Sequence, residues 1–161
     1  MDKYLFIKML YLADRESLRR WGEPITGDRT ASMEYGPVLS TISDLTKGDG
    51  PGWRPFWEPF ISDADEQTNR VSVKDDPGQD ELSKSEIEIL KSVHGRFKDF
   101  SWKQMRDFCH ALPEYEEVGK SSRLLFAERI LQAMGKTDAE IKEAESMQRQ
   151  VSLAEMLLGR G

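Results

Sequence analysis

The chain is poor in the residues that hold folds together covalently or through metals. Its 161 residues include one cysteine, Cys109, and two histidines, His94 and His110. A lone thiol forms no internal disulfide and no multi-cysteine zinc site. It fits a reducing compartment, so a cytoplasmic location is expected. Long apolar runs are missing too. The most apolar stretch, Tyr4 to Ala13, is interrupted by Lys8 and is about half a membrane span. No small-residue cleavage site follows it, so neither a membrane segment nor a signal peptide is expected. Positive charge is in deficit, with 23 Lys and Arg against 29 Asp and Glu and a net charge of −6. That balance opposes bulk attraction to phosphate backbones.

What is present is enough for a core. Hydrophobic residues make up 38% of the chain, with four Trp and seven Phe. A chain of this length is expected to form one domain without disulfides or metal.

Residues 2–20 read as a helix whose apolar set wraps most of its circumference, which marks a buried helix. Gly22 and Pro24 end it. Thr26-Gly27-Asp28-Arg29 is turn chemistry. Pro37 suits the first turn of a second helix running to about Lys47. Residues 53–80 look extended. Trp53, Phe56, Trp57, Phe60 and Ile61 precede an acidic turn and then Val71-Ser72-Val73, a hairpin pattern.

From Leu82 onward the chain reads as a series of helices. Ser83-Lys84-Ser85-Glu86 and Ser101-Trp102-Lys103-Gln104 are capping boxes. Pro113 ends the second of these helices. Leu124, Leu125, Ala127, Ile130, Leu131 and Met134 mark another, stopped by Gly135. The last opens at Thr137, with a stripe of Ile141, Ala144, Met147, Val151, Ala154 and Leu158, widened by Met156 and Leu157. The expected fold is therefore mainly α (α+β): a single compact helical domain with a small antiparallel β-hairpin near residues 57–75.

Signatures of catalysis are scarce. Gly48-Asp49-Gly50-Pro51-Gly52 lacks the Gly-Lys-Ser/Thr of a phosphate loop. Cys109 and His110 are adjacent, so on a helix they point about 100° apart. No metal site and no cofactor are expected. No serine sits in a Gly-x-Ser-x-Gly elbow, and Cys109 falls on an apolar face as a buried thiol would. No catalytic residue is assigned, and a non-enzymatic role is expected. Asp14, at the end of the most apolar helix, needs a partner. Arg15, Arg19 or a backbone N–H of the Thr26–Arg29 loop would serve, which makes it a loop anchor before a catalytic acid.

A helix-turn-helix imitation around Pro113 invites a DNA-binding reading. Glu114, Glu116 and Glu117 in that break would repel phosphates, so nucleic acid is disfavoured as a partner. Protein-binding features are stronger. Trp53, Phe56 and Trp57 lie in an irregular Pro/Gly-rich segment, and Trp is enriched in binding hot spots. Met147, Val151, Ala154 and Leu158 form a short coiled-coil-like seam, so Met147, Val151, Met156 and Leu157 join the candidate partner-binding set.

Three ordered blocks carry a resemblance: Lys8-Met9-Leu10-Tyr11-Leu12-Ala13-Asp14-Arg15, Gly22-Glu23-Pro24-Ile25-Thr26-Gly27-Asp28 and Glu34-Tyr35-Gly36-Pro37-Val38. Leu82-Ser83-Lys84-Ser85-Glu86 and His110-Ala111-Leu112-Pro113-Glu114-Tyr115 continue it. The chain resembles the Panacea domain, also called the SocA-like antitoxin domain, over about residues 3–145. Residues 1–145 are then the antitoxin domain, and 146–161 a helical extension of it. The resemblance implies a bacterial or phage antitoxin of a toxin–antitoxin system. Its partners would be a cognate toxin, encoded by the adjacent gene, and in some members a protease. It implies no catalytic site. Tyr11, Asp14, Gly27, Asp28, Gly36, Pro37 and His110 fall on motif positions and are read as fold determinants. The aromatic segment and the last helix depart from the pattern, which places partner specificity there. The leading expectation is neutralisation by direct binding, with a homodimer left open and no membrane partner. The alternatives are a DNA-binding autoregulator of its own operon and, behind it, a carboxylate-dependent hydrolase.

Overall fold

The computed structural model describes residues 1–50 and 52–157; the side chains of Gln148, Val151, Ser152 and 154–157 lie outside the described set. The fold is built around its first helix, α1 (Lys3–Trp21). Asp2 caps its start by accepting from the Leu5 N–H, and Gly22 ends it in a left-handed turn. Around it pack α4 (Lys84–Phe97), α5 (Trp102–His110), α6 (Ala127–Ala133) and the strand β2 (Val38–Leu39). Such a helix must be apolar on several sides. The core holds its Met9, Tyr11, Leu12 and Leu18 together with Leu39, Phe97, Met105, Cys109, Ile130, Leu131 and Ile141.

Both capping boxes form. The Ser83 and Ser101 hydroxyls accept from the N–H groups of Glu86 and Gln104, whose side chains accept in return from the cap N–H. They start α4 and α5 at the expected positions. The final helix, α7 (Asp138–Leu157), runs through Ser146 without a break. Among the described residues, no helix is long and apolar enough to cross a membrane.

The mainly α, α+β class holds, but the sheet is not where the sequence placed it. It is antiparallel, in the order β2–β1–β3, with β1 at Thr30–Met33 and β3 at Ser122–Leu124. The 57–75 segment forms only a rudimentary hairpin. Ile61 bridges Val73, and Ser62 N–H donates to Ser72 O at 2.9 Å. The returning strand is bonded on both sides: Lys74 N–H donates to Phe60 O at 2.7 Å and Asp65 N–H to Arg70 O at 2.9 Å on the hairpin side, while the alternate residues face the N-terminus. Lys3 N–H donates to Asn69 O, and Val71 N–H to Met1 O, both at 2.9 Å.

Three further boundaries shift. Val38 and Leu39 pair with β1 rather than opening a helix at Pro37, and the helix there is shorter, α2 (Ser40–Leu45). Trp53–Trp57, expected to be extended, winds into a turn of helix, α3 (Arg54–Trp57), with Pro55 in its first turn where the missing N–H costs nothing. Leu124 belongs to β3 because Ala31 faces it across the sheet, so α6 begins only at Ala127.

Candidate functional site

The motif residues gather around α1. Asp14 is buried, and its Oδ1 accepts from the N–H groups of Ile25 and Thr26 at 3.0 and 2.9 Å; its Oδ2 accepts from the Thr26 hydroxyl. Of the partners weighed from the sequence, the loop backbone is the one it takes. Burial raises the Asp14 carboxyl above its ordinary range, the three hydrogen bonds oppose that, and the neighbouring Asp28 adds to the rise. Gly27 leads into Asp28, whose Oδ1 accepts from Arg29 and Thr41 N–H and Oδ2 from Ile42 N–H. Asp28 thus caps α2 from a distant loop, which frees Leu39 at the helix start from that task.

A second group holds the turn at residues 33–37. Lys8, 1% exposed, donates from Nζ to Pro37 O at 2.5 Å. Burial lowers its pKa from 10.5 to about 8. Tyr4 OH donates to Tyr35 O at 2.6 Å. His110 Nε2 meets Glu34 O at 3.0 Å, and its ring stacks on Tyr115 at 4.5 Å. Gly36 sits at φ +96°, where a side chain would be strained, and a Cβ there would lie 2.9 Å from the Cys109 Cβ. Cys109 is fully buried, and burial pushes its thiol up to about 11, so it is a poor nucleophile.

Glu114 closes the arrangement. It is fully buried, accepts the Tyr11 hydroxyl at 2.7 Å, and takes Arg15 at two points. It is therefore not the phosphate-repelling surface charge read from the sequence; Glu116 is paired with Arg123 and Arg129, which leaves the exposed Glu117 in that role. Lys8, Arg15 and Glu114 were missed as a group. The signal was Lys8, Tyr11 and Arg15 at helical spacing on the most apolar helix, where buried polar groups demand partners. Nothing near Glu114 in sequence marks it as that partner.

The exposed candidates lie on the outer side of the same loop. An open cavity of about 450 Å³ is bordered by Thr26, Asp28, Ile42, Leu45, Trp53, Phe56 and Trp57. Trp53 is 62% and Phe56 72% exposed, their rings 6.3 Å apart. Trp57 turns inward, half-buried against Phe6 at 6.0 Å, with its Nε1 buried and unpartnered. Met147 is half-exposed on α7, beside a separate depression with Trp21 and Ala144. The side chains of Val151, Met156 and Leu157 lie outside the described residues.

No curated protein and no solved structure matches the chain. The family described as antitoxin SocA-like, Panacea domain, matches residues 6–115. That stretch is shorter than the one expected, yet it spans more than half of the chain, from α1 to Tyr115, and holds Tyr11, Asp14, Gly27, Asp28, Gly36, Pro37, His110 and Glu114. The chain belongs to the SocA-like antitoxin family of Panacea domains.

Proposed function

We propose that this protein neutralises a toxin encoded beside it by binding the toxin directly through the Trp53–Phe56 cavity. The supporting observation is the exposure of two large aromatics at the rim of a cavity whose wall, Thr26 and Asp28, belongs to the hydrogen-bonded loop. Exposed aromatics cost solvation in the free protein and supply anchor energy in a complex. The net charge of −6 speeds encounter with a basic toxin. Occlusion of the toxin's site, or its delivery to a protease, then follows from one complex.

The test is co-expression with the adjacent open reading frame, read by growth and by pull-down. A toxic neighbour that is silenced and co-purifies supports the reading; a harmless neighbour that does not bind overturns it. Toxin half-life with and without the antitoxin separates delivery from occlusion.

One observation favours a second reading, a hydrolase acting through Asp14. Asp14, Tyr11 and Arg15 border a cavity of about 200 Å³, and burial raises the Asp14 carboxyl. Against it, both Asp14 oxygens are already occupied by donors. Rescue retained by a folded Asp14→Asn variant ends that reading.

A further inference from the structure

The sheet ends in an unprotected edge. With the order β2–β1–β3, one side of β3 has no neighbouring strand among the described residues. Its direction is set by the ladder. Leu125 N–H donates to Thr30 O at 2.9 Å, and the register pairs Ser32 with Arg123 and Ala31 with Leu124. Inward and outward backbone groups alternate in an antiparallel pair. Arg123 and Leu125 therefore turn their N–H and C=O toward β1, and Ser122 and Leu124 turn theirs outward. All three β3 residues are exposed. Edges are usually blunted by proline, a bulge or a covering element. Residues 121–126 contain no proline, and Leu124 and Phe126, 53% and 67% exposed, stand beside a cavity they share with Arg29 and Thr30.

Charge selects the occupant. Arg123 and Arg129 share one carboxylate, Glu116, at 2.7 and 3.1 Å. The Arg29 guanidinium forms no ion pair among the described residues. A second copy of β3, in the register that uses Ser122 and Leu124 of both strands, would set Arg123 directly against Arg123. Like charges so opposed are destabilising. We propose that β3 is a docking edge for an extended acidic segment of a partner protein, which adds as a fourth strand, lays apolar side chains on Leu124 and Phe126, and pairs carboxylates with Arg29 and Arg123. Main-chain bonds along such an edge give affinity, and alternate side chains give specificity. The inference rests on the antitoxin reading only for the partner's identity as the toxin.

The probe is a display library of random short peptides panned on the immobilised full chain. Enriched peptides are expected to alternate acidic and apolar residues. An Arg29→Glu/Arg123→Glu variant with wild-type circular dichroism is expected to bind them at least about tenfold more weakly, as loss of charge-assisted pairs requires. Amide hydrogen exchange on the wild type gives an independent readout. The Leu124 amide exchanges freely in the free protein and becomes protected with peptide bound, while the already bonded Arg123 amide changes little. No enrichment, or enriched peptides that are indifferent to charge reversal and leave Leu124 exchange unchanged, overturns the proposal. Toxin rescue is measured separately, so an edge that fails beside intact rescue condemns the edge and not the antitoxin reading.

Discussion

Arg15 and Glu114, 99 positions apart in the chain, are joined at two points: Nε to Oε1 at 2.5 Å and Nη2 to Oε2 at 3.1 Å. The Tyr11 hydroxyl shares Oε1 at 2.7 Å. The carboxylate is fully buried and the guanidinium largely so. This contact ties the segment after α5 to the central helix, and with it the His110–Tyr115 stack that holds the 33–37 turn.

Removing one partner of a buried pair strands the other. Arg15→Ala leaves the Glu114 carboxylate in the interior with only the Tyr11 hydroxyl, and a cost of about 3–5 kcal/mol is expected. Denaturant unfolding measures it. A loss below about 1 kcal/mol would mean that Glu114 finds water or another cation.

Gly36→Ala is expected to destabilise by about 1–3 kcal/mol. Two causes add there: φ +96° disfavours any side chain, and the new Cβ would meet the Cys109 Cβ at 2.9 Å, on a packed helix rather than a flexible tip. Gly27→Ala separates the causes, because φ is +63° there but no atom lies within 4 Å of the new Cβ. Thermal melts should rank Gly36→Ala as the more damaging of the two.

These contacts show what the sequence can and cannot disclose. Capping boxes and the Asp14 anchor were readable because donor and acceptor lie within about a dozen residues and follow local rules. Asp14 to Thr26 spans 12 positions and Ser83 to Glu86 spans 3. The sheet was not readable, since β1 takes its longer partner from residues 122–124, with no shared turn to announce the pairing. The 57–75 segment had the hairpin pattern, but its returning strand also takes the N-terminus on its other side, a pairing across 70 positions that residue patterns do not announce. The exposed aromatics divided for a similar reason. Trp57 found Phe6 on α1, while among the described residues the Trp53 and Phe56 rings meet no ring but each other's.

Lys8 gives stability a pH signature. Its folded pKa is about 8 and its unfolded value 10.5, lowered by burial. Below pH 8 both states hold the proton, and the burial penalty is fully present. Between pH 8 and 10.5 the unfolded chain binds more protons, so stability rises with pH. Cys109 works in the opposite sense. Burial raises its thiol from 9.0 to about 11, so above pH 9 the unfolded chain releases that proton first and stability falls. Unfolding free energy is therefore expected to climb by up to about 1 kcal/mol from pH 8 to 9 and then level off. The Lys8→Met variant should lack the climb. A wild-type curve that falls from pH 8 to 9 by the same measurement would show that Lys8 stays charged beside Pro37 O.

The aromatic pair carries the functional prediction. A Trp53→Ala/Phe56→Ala double variant removes side chains that are mostly in water, so its melting temperature should stay within a few degrees of the wild type. Its effect on a toxin complex should be large. Central aromatic anchors cost about 2 kcal/mol or more when truncated, so affinity is expected to fall by at least about 30-fold and growth rescue to fail. Met147→Ala, on a different depression, provides the contrast. If the double variant rescues fully while Met147→Ala does not, the toxin sits on α7 and the cavity beside Trp53 is not its site. If the double variant alone loses rescue and keeps its fold, the toxin binds over the loop that Asp14 and Asp28 hold, and the buried motif serves to present that surface.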